Sequence, residues 1–212
     1  MAENIVMRLI IVLVPMILSL TIHEFAHAWS AYKLGDDTAS LQGRMTLNPL
    51  AHIDPIGTLL IPIFSVLNGQ FSLIGWAKPV PVSPLRFRRN ITMRKGMIIT
   101  ALAGPASNLA LAFIASGVLV FSDSLGLQNK AVLTILTQVF YMNVGLAVFN
   151  MLPLPPLDGS RMLPVHLQDK LMRYQMVTFI GLILMINFAP AMLNVPVTLI
   201  ADAMVDFFHL FV

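Results

Sequence analysis

The chain has 212 residues, of which 57% are hydrophobic and 11% are charged, and its mean hydropathy is +0.81. Ordinary soluble domains carry about 25% charged residues, so this composition excludes a water-soluble fold and predicts an integral membrane protein. The net charge of +3 does not indicate nucleic-acid binding, because membrane orientation explains the basic residues better, and the absence of cysteine excludes disulfides and thiolate metal sites.

Four apolar segments are long enough to cross a bilayer, which takes about 20 residues. They are 5–32, 98–121, 131–157 and 174–201. A shorter apolar segment, 56–67, has the length of a re-entrant helix that enters and leaves on one side. We therefore expect an all-α polytopic membrane protein with a single domain, 1–212, whose core covers about 5–170 and which ends in further helices at 173–212.

Two of these segments admit a second interpretation. Pro190 and Pro196 interrupt the last apolar run, so residues 195–212 either return through the membrane or lie on its outer surface. The first segment loosely imitates a secretory signal peptide. The carboxylate of Glu24 and the imidazoles of His23 and His27 are unusual near the cleavage site of such a peptide, so they favour a membrane span.

The basic residues indicate the orientation of the chain. All Lys and Arg residues except Arg8 and Lys130, 11 of the 13, fall in the loops 33–55, 68–96 and 158–173. Short cytoplasmic loops carry the excess of positive charge. We therefore expect these loops to face the cytoplasm, the N-terminus to lie outside, and the first helix to run inward.

The segment His23-Glu24-Phe25-Ala26-His27 places three polar side chains inside an apolar helix. Residues four apart share a helix face, so both imidazoles can reach one Zn²⁺ at about 2.0–2.1 Å. Glu24 is close enough to take a proton from zinc-bound water. An ionisable residue in a membrane helix costs at least about 2.5 kcal/mol. A bound zinc ion offsets that cost, and a polar seam that is hydrogen-bonded to other helices is the alternative.

A catalytic zinc site usually takes three protein ligands and one water, so a third residue has to come from elsewhere. The candidates are His52, Asp54, His166 and Asp158. Asp158 follows the Pro-rich segment 152–157, which cannot be regular helix, and non-helical backbone at membrane depth survives only inside protein or beside a wet cavity. From the residues alone, Asp158 is equally compatible with two roles, a zinc ligand or the N-cap of a helix that begins near Ser160.

Three motifs, in this order along the chain, resemble the site-2 protease family of intramembrane zinc metalloproteases. They are HEFAH at 23–27, GPASN at 104–108 and NMLPLPPLDG at 150–159. The segment 48–57 is similar to the short bacterial members, which have neither PDZ nor CBS domains. The resemblance covers the core of the chain and implies a three-helix catalytic core.

The resemblance assigns roles to residues at the matching positions. It implies one zinc ion per chain, held by His23, His27 and Asp158. Glu24 would be the catalytic base, and Asn150 would lie near the substrate backbone. The resemblance therefore favours Asp158 as the third ligand, which the residues alone leave open.

The resemblance also implies a small membrane-associated β-hairpin at 71–87. The prolines of this segment suit an edge strand onto which an unwound substrate adds, and a plain Pro-rich loop is the alternative. His52 and Asp54 would gate the site or touch substrate, with a turn and helix cap at Asp54 as the alternative. Asn108 is expected mainly to bridge helices, with a substrate contact as the alternative.

These features predict a zinc endopeptidase that cuts membrane proteins or remnant signal peptides in a bacterial cytoplasmic membrane. Its expected partners are those substrates and the bilayer. A zinc-binding adaptor without hydrolysis is the main alternative, and the intact Glu24 argues against it. A metal transporter would need polar residues on several spans, whereas 98–121 and 131–149 contain no charged residue.

Overall fold

The computed structural model describes residues 5–68 and 75–212, except for the side chains of Gln175, Phe179, Ile183, Ile186 and Asn187. The described residues form helices and irregular segments, and none of them lies in a strand. The α-helices are α1 (Ile5–Lys33), α2 (Thr38–Leu41), α3 (Ile61–Leu67), α4 (Met93–Val120), α5 (Lys130–Asn150), α6 (Val165–Arg173), α7 (Gln175–Phe188) and α8 (Ala191–His209). A π-helix spans Pro55–Leu60, and short 3-10 helices span Pro49–Ala51, Pro84–Arg86 and Asp158–Met162.

Four of the described helices are long and apolar enough to cross a membrane. They are α1, α4, α5 and α8, with 29, 28, 21 and 19 residues. A helix satisfies its backbone hydrogen bonds within itself, which is what the hydrocarbon region of a bilayer demands. The predicted all-α polytopic membrane fold is therefore confirmed.

Helices α1, α4 and α5 pack against one another and form the centre of the bundle. One buried apolar cluster joins α4, α5 and α8 and consists of Ala112, Ala115, Val139, Phe140, Val144 and Ala201. Small side chains such as its alanines let membrane helices approach closely. Large apolar side chains such as Phe64, Ile114 and Leu199 stay exposed, as suits a surface that faces lipid.

Two of the predicted spans end where proline prevents a helix from continuing. Helix α5 ends at Asn150 and not at residue 157, because the Pro-rich segment that begins at Pro153 cannot extend it. The predicted span 174–201 is wrong, since the chain breaks between α7 and α8 at Ala189, whose φ and ψ are −134° and 52°. The residue before a proline is held away from helical geometry, and Pro190 follows. The candidate span of this region is α8.

The apolar segment after Asp54 is helical from Pro55 to Leu67. Asp54 Oδ1 accepts hydrogen bonds from the N–H groups of Ile56 and Gly57 at 3.0 and 2.8 Å, so this side chain caps the helix start. The six and seven residues of its two helical parts are too few to cross a bilayer. Its re-entry on one side of the membrane stays a prediction.

The predicted β-hairpin at 71–87 is wrong for residues 75–87, which contain no strand, and the rest of that segment lies outside the described residues. Its prolines remove several N–H donors, and four of the remaining N–H groups donate to separate parts of the chain and not to one partner strand. They donate from Trp76 to Gly57 O, from Lys78 to His52 O, from Val80 to the Glu24 carboxylate and from Ser83 to the Asp36 carboxylate. Residues 75–83 thus form an irregular segment tied to four parts of the chain, here called the strap.

Candidate metal centre

His23 and His27 lie on one face of α1 and are buried, with 5% and 8% of their surface exposed. They are four residues apart, so the two imidazoles share one side of the helix. Their rings meet edge to face, and their Nε2 atoms are 2.9 Å apart. The periodicity of the helix therefore brings two potential ligand atoms to one point.

Asp158 reaches the same point from irregular backbone. The Pro-rich segment after α5 leads to a 3-10 helix that begins at Asp158. The Oδ2 atom of Asp158 lies 3.1 Å from Nε2 of His23 and 3.3 Å from Nε2 of His27. In a tetrahedral zinc site with ligand atoms about 2.0–2.1 Å from the metal, neighbouring ligand atoms are about 3.3 Å apart. The three atoms therefore match one face of such a tetrahedron.

The other ring nitrogens of the two histidines show which atoms are free to bind a metal. Nδ1 of His27 is 2.7 Å from Thr100 O, and a carbonyl oxygen only accepts, so this Nδ1 donates its hydrogen. Nδ1 of His23 is 2.6 Å from Oδ1 of Asn108. With both Nδ1 atoms as donors, the two Nε2 atoms present lone pairs toward the Asp158 carboxylate. Three converging acceptors are stabilised only by a cation between them.

The donor set itself fits a divalent metal ion. Oδ2 of Asp158 is buried and has no hydrogen-bond partner, although buried polar atoms are nearly always paired. Among the described residues, His23, His27 and Asp158 form the only group of three His, Asp or Glu side chains close enough to share an ion. Two imidazoles and one carboxylate are a common ligand set for catalytic zinc.

The Asp158 carboxylate is held in the form that binds metal. Burial by itself would raise the pKa of the Asp158 carboxyl, but the adjoining imidazoles of His23 and His27 favour its charged form and hold that pKa well below its usual range. The helix-cap interpretation is not supported, because the N-cap of the 3-10 helix is Leu157 and no side chain caps it. The carboxylate is therefore ionised at neutral pH and directed to the histidines.

Two glycines allow the chain to close around this point. A Cβ atom at Gly104 on α4 would lie 2.4 Å from Nε2 of His27. A Cβ atom at Gly159 would lie 2.3 Å from Met151 O. Gly104 thus lets the α4 backbone pass against the imidazoles, and Gly159 lets the chain after Asp158 pack on the end of α5.

Glu24, the residue after the first histidine, is also buried, with 9% exposed. Its Oε2 atom accepts a hydrogen bond from the Val80 N–H at 2.8 Å. A second buried carboxylate, Asp36, accepts a hydrogen bond from the Ser83 N–H at 2.6 Å. These two carboxylates hold the strap against the C-terminal part of α1.

Two other predicted site residues make contacts of their own outside the three-residue cluster. His52 is buried, its Nε2 donates to Thr46 O at 2.8 Å, and its carbonyl accepts from the Lys78 N–H of the strap at 2.9 Å. Asn150 stands at the end of α5 and donates to Leu146 O of its own helix at 3.0 Å. Contact of either side chain with a substrate stays a prediction.

Asn108 is fully buried, so it has no surface to offer to a substrate. Its Oδ1 contacts His23, and its Nδ2 donates to Oδ1 of Asn143 on α5 at 2.6 Å. The structure thus supports the helix-bridging interpretation of Asn108. Sequence reasoning missed Asn143, whose signal is an amide in the middle of a predicted membrane span. It also missed Thr100, whose backbone O contacts His27, and Val80, whose backbone N–H contacts Glu24, because backbone groups leave no side-chain signal.

Comparison with known proteins finds bacterial relatives. The chain is 43% identical over 155 residues, 71% of its length, to the Bacillus subtilis protein "Putative zinc metalloprotease YwhC". It is 32% identical over 165 residues, 77% of its length, to "Putative zinc metalloprotease Rip2" of Mycolicibacterium smegmatis. It is 31% identical over 166 residues to the protein of the same name from Mycobacterium tuberculosis.

The chain spans slightly less than two thirds of the length of these relatives, with 66% of the first and 60% of the other two covered. No family model matches the chain, and no solved structure matches it either. The relatives that do match are members of one family, and the first of them shares more than two fifths of the matched residues. The chain therefore belongs to the site-2 protease family.

Proposed function

We propose that the chain is an intramembrane zinc metalloendopeptidase that hydrolyses peptide bonds in or near membrane-spanning segments. The observation that carries this proposal is the convergence of Nε2 of His23, Nε2 of His27 and Oδ2 of Asp158 within 3.3 Å of one another. The relatives add support, because their names are those of zinc metalloproteases. Glu24, next to His23 on α1, provides the base that hydrolysis needs and a mere zinc-binding adaptor does not.

His23, His27 and Asp158 would hold one zinc ion per chain, with a fourth position left for water. When bound in such a set, zinc lowers the pKa of water toward about 7 and polarises a carbonyl group. Glu24 accepts the proton of the attacking water and delivers it to the amine of the leaving peptide. The Val80 N–H holds one oxygen of this carboxylate at 2.8 Å and leaves the other for that proton.

The position of the histidines along α1 sets the depth of the reaction. His27 lies six residues before the end of the helix at Lys33, which is about 9 Å along the helix axis. With the basic loops on the cytoplasmic side, the metal centre lies within the membrane near its cytoplasmic face. Water reaches it from the cytoplasm, and the N-terminus faces outward.

The depth and the burial of the centre also restrict the substrate. A helical substrate has its carbonyls hydrogen-bonded, so it has to unwind before water attacks. We therefore expect single-span membrane proteins or remnant signal peptides of the bacterial cytoplasmic membrane, cut close to helix-breaking residues. Asn150 at the end of α5 and His52 beside the strap are the side chains that we expect to touch the unwound segment.

The test is cleavage by the purified chain in proteoliposomes, with a single-span membrane protein as substrate and with Glu24→Gln as the variant. Glu24→Gln keeps the size of the side chain and removes the base, so cleavage should fall about 10²- to 10⁴-fold. Zinc content should stay at one ion per chain, since the three ligands are unchanged. Asp169→Asn, which removes an exposed carboxylate from α6, is the control and should cleave like wild type.

The two measurements separate the proposal from its alternative. Wild-type protein that binds zinc but cleaves no faster than Glu24→Gln would show an adaptor that grips membrane segments without hydrolysing them. Wild-type protein that binds no zinc would contradict both the protease and the adaptor. A loss of zinc in Glu24→Gln would mean that Glu24 is a ligand and not the base.

A further inference from the structure

A continuous chain of hydrogen bonds runs from α1 through α5 and α4 back to α1. Ser19 Oγ donates to Pro15 O at 2.6 Å, and Asn143 Nδ2 donates to Ser19 Oγ at 2.7 Å. Asn108 Nδ2 donates to Asn143 Oδ1 at 2.6 Å, and His23 Nδ1 lies 2.6 Å from Asn108 Oδ1. Ser19, Asn108 and Asn143 are each 0% exposed. No water competes for these groups, so every hydrogen must go to the partner that the chain offers.

The direction of this chain is fixed at its far end. The side-chain amide of Asn143 also donates from Nδ2 to Val139 O at 2.7 Å, and a backbone carbonyl can only accept. The Ser19 hydroxyl has one hydrogen, and Pro15 O takes it, so Ser19 Oγ can only accept from Asn143. Both contacts require the NH₂ group of Asn143 to point away from Asn108 and its carbonyl oxygen to point toward it.

The same logic continues to the histidine. Because Asn143 presents its oxygen, Asn108 must present its NH₂ group to it, and this leaves the Asn108 oxygen facing His23. An oxygen at 2.6 Å requires a hydrogen on Nδ1 of His23. The Nε2 atom of His23 then carries a lone pair, which is the form that a metal requires.

We propose that Asn143 is a positioning residue for the metal centre: it fixes the orientation of the Asn108 amide and, through it, the tautomer of His23. This inference rests on the proposed zinc site but not on proteolysis. Asn143 touches no ligand in the three-residue cluster. Its effect on zinc therefore travels through one intervening side chain, and it couples α5 to a ligand on α1.

The hydrogen-bonded chain from Ser19 through Asn143 and Asn108 to His23, here called the relay, also explains why an amide occupies this apolar span. A buried amide in a membrane helix is costly unless all its groups are paired. Asn143 pairs both hydrogens and its oxygen. A leucine of similar size would keep the van der Waals packing of this position but would remove its hydrogen bonds to α1 and α4. The proposal therefore predicts that Asn143→Leu keeps the packing of the bundle but binds zinc more weakly than wild type.

The test measures the zinc dissociation constant of the full chain in detergent by competition with a chromophoric chelator. Asn143→Leu removes the 2.6 Å acceptor of the Asn108 NH₂ group and leaves it only a longer contact to Ser19 O at 3.4 Å. The Asn108 amide can then rotate and present NH₂ to His23, so we expect zinc binding to weaken roughly 10- to 100-fold, the range for the loss of a residue that hydrogen-bonds a metal ligand. Asn143→Asp should bind within about threefold of wild type, because a protonated buried carboxyl accepts from Asn108 and donates to Val139 O. Rescue by aspartate distinguishes the relay from packing.

The matched control is Ser116→Leu. Ser116 is 0% exposed on α4, and its hydroxyl donates only to Phe113 O of its own helix. The larger side chain disturbs the bundle without touching the relay, so thermal stability should fall while zinc affinity stays within about twofold of wild type. The absorption spectrum of the Co²⁺-loaded protein should likewise change in Asn143→Leu and stay unchanged in Ser116→Leu.

Three results would overturn the proposal. Asn143→Leu could bind zinc within twofold of wild type, Asn143→Asp could be as weak as the leucine variant, or Ser116→Leu could lose as much affinity as Asn143→Leu. If Asn143→Leu does not fold, the test rests on Asn143→Asp. A loss of zinc affinity of more than tenfold in that variant contradicts the relay. Wild-type protein that binds no zinc at all would instead refute the proposed function.

Discussion

The two sides of the metal centre are built from different kinds of backbone. On one side, His23 and His27 stand on the regular helix α1, and α4 supports them through Asn108 and Thr100 O. On the other side, Asp158 and the strap come from irregular backbone, and four N–H groups of the strap donate to four different parts of the chain. The helical side fixes where the imidazoles lie, whereas the irregular side brings the Asp158 carboxylate to them and the Val80 N–H to Glu24.

This difference follows from how each kind of backbone is satisfied. A helix pairs its own backbone N–H and C=O groups, so its side chains are free to pack and to hydrogen-bond with neighbouring helices, as His23 and His27 do with α4. An irregular segment near the membrane needs a partner for each group, and in the strap those partners include Glu24 and Asp36. Changes on the helical side should therefore abolish metal binding, whereas changes in the strap should alter turnover and leave the metal in place.

The largest effect is expected at Gly104. A Cβ atom there would lie 2.4 Å from Nε2 of His27, so Gly104→Ala should push the imidazole away from the cluster and remove zinc binding. Gly145→Ala on α5 is the control, since a Cβ atom there meets nothing within 4 Å. That change should stabilise the helix by about 0.5–1 kcal/mol. Equal zinc content in Gly104→Ala and wild type, measured by metal analysis, would show that α4 does not shape the centre.

The next effect is expected at Asp158, the ligand from the irregular side. Asp158→Ala removes a direct ligand, so zinc affinity should fall by more than the roughly 10- to 100-fold that the loss of an outer partner causes. Asp158→Asn, which keeps the shape and removes the charge, should give a smaller loss. Competition with a chelator measures both variants. Unchanged zinc content in Asp158→Ala would require a different third ligand, such as His52 or a residue from a second copy of the chain.

A smaller effect, on turnover alone, is expected in the strap. Val80→Pro removes the N–H that holds Glu24, and a hydrogen bond to a charged group contributes about 1.5–3 kcal/mol, so the cleavage rate should fall roughly 10- to 100-fold. Zinc affinity should not change. Val82→Pro is the control, since it alters the same segment without removing that donor. A loss of zinc in Val80→Pro would show that the two sides of the centre are not separable.

The smallest effect is expected for an ion pair on the irregular side. Arg86 pairs with Asp37 beside the strap, but both side chains are about half exposed, at 50% and 47%. Exposed ion pairs contribute about 0–1 kcal/mol, so Arg86→Gln should change thermal stability and cleavage only slightly, and less in high salt than in low salt. A loss of cleavage as large as that of Val80→Pro would mean that this pair controls the position of the strap.

Local features of the sequence predicted much of this protein. The spacing of His23 and His27 predicted a shared ligand face, because residues four apart in a helix are neighbours whatever the rest of the chain does. The apolar runs predicted the spans, because bilayer thickness sets the length of a helix. Pro190 predicted an interruption in the last apolar run but not two separate helices, α7 and α8, since a proline permits either a kinked helix or two helices and packing selects between them.

Features that depend on distant partners were decided by the tertiary structure. The predicted hairpin failed because the N–H groups of the strap found Glu24 and Asp36, 56 and 47 residues away in the sequence, and not a neighbouring strand. The residues alone left Asp158 open between ligand and cap. Only the path of the irregular chain after α5 brings its carboxylate to the two imidazoles.

Hydropathy and helical periodicity are properties of short stretches of chain, so the residues alone predict a protein that lies in a bilayer, most of its helices and the side chains available for metal binding. The tertiary structure decided which polar groups meet. His23 and Asn108 are 85 residues apart, and Asn143 and Ser19 are 124 residues apart, yet their hydrogen bonds have to agree in direction. No local pattern specifies that agreement, because it exists only when three helices are packed at fixed distances.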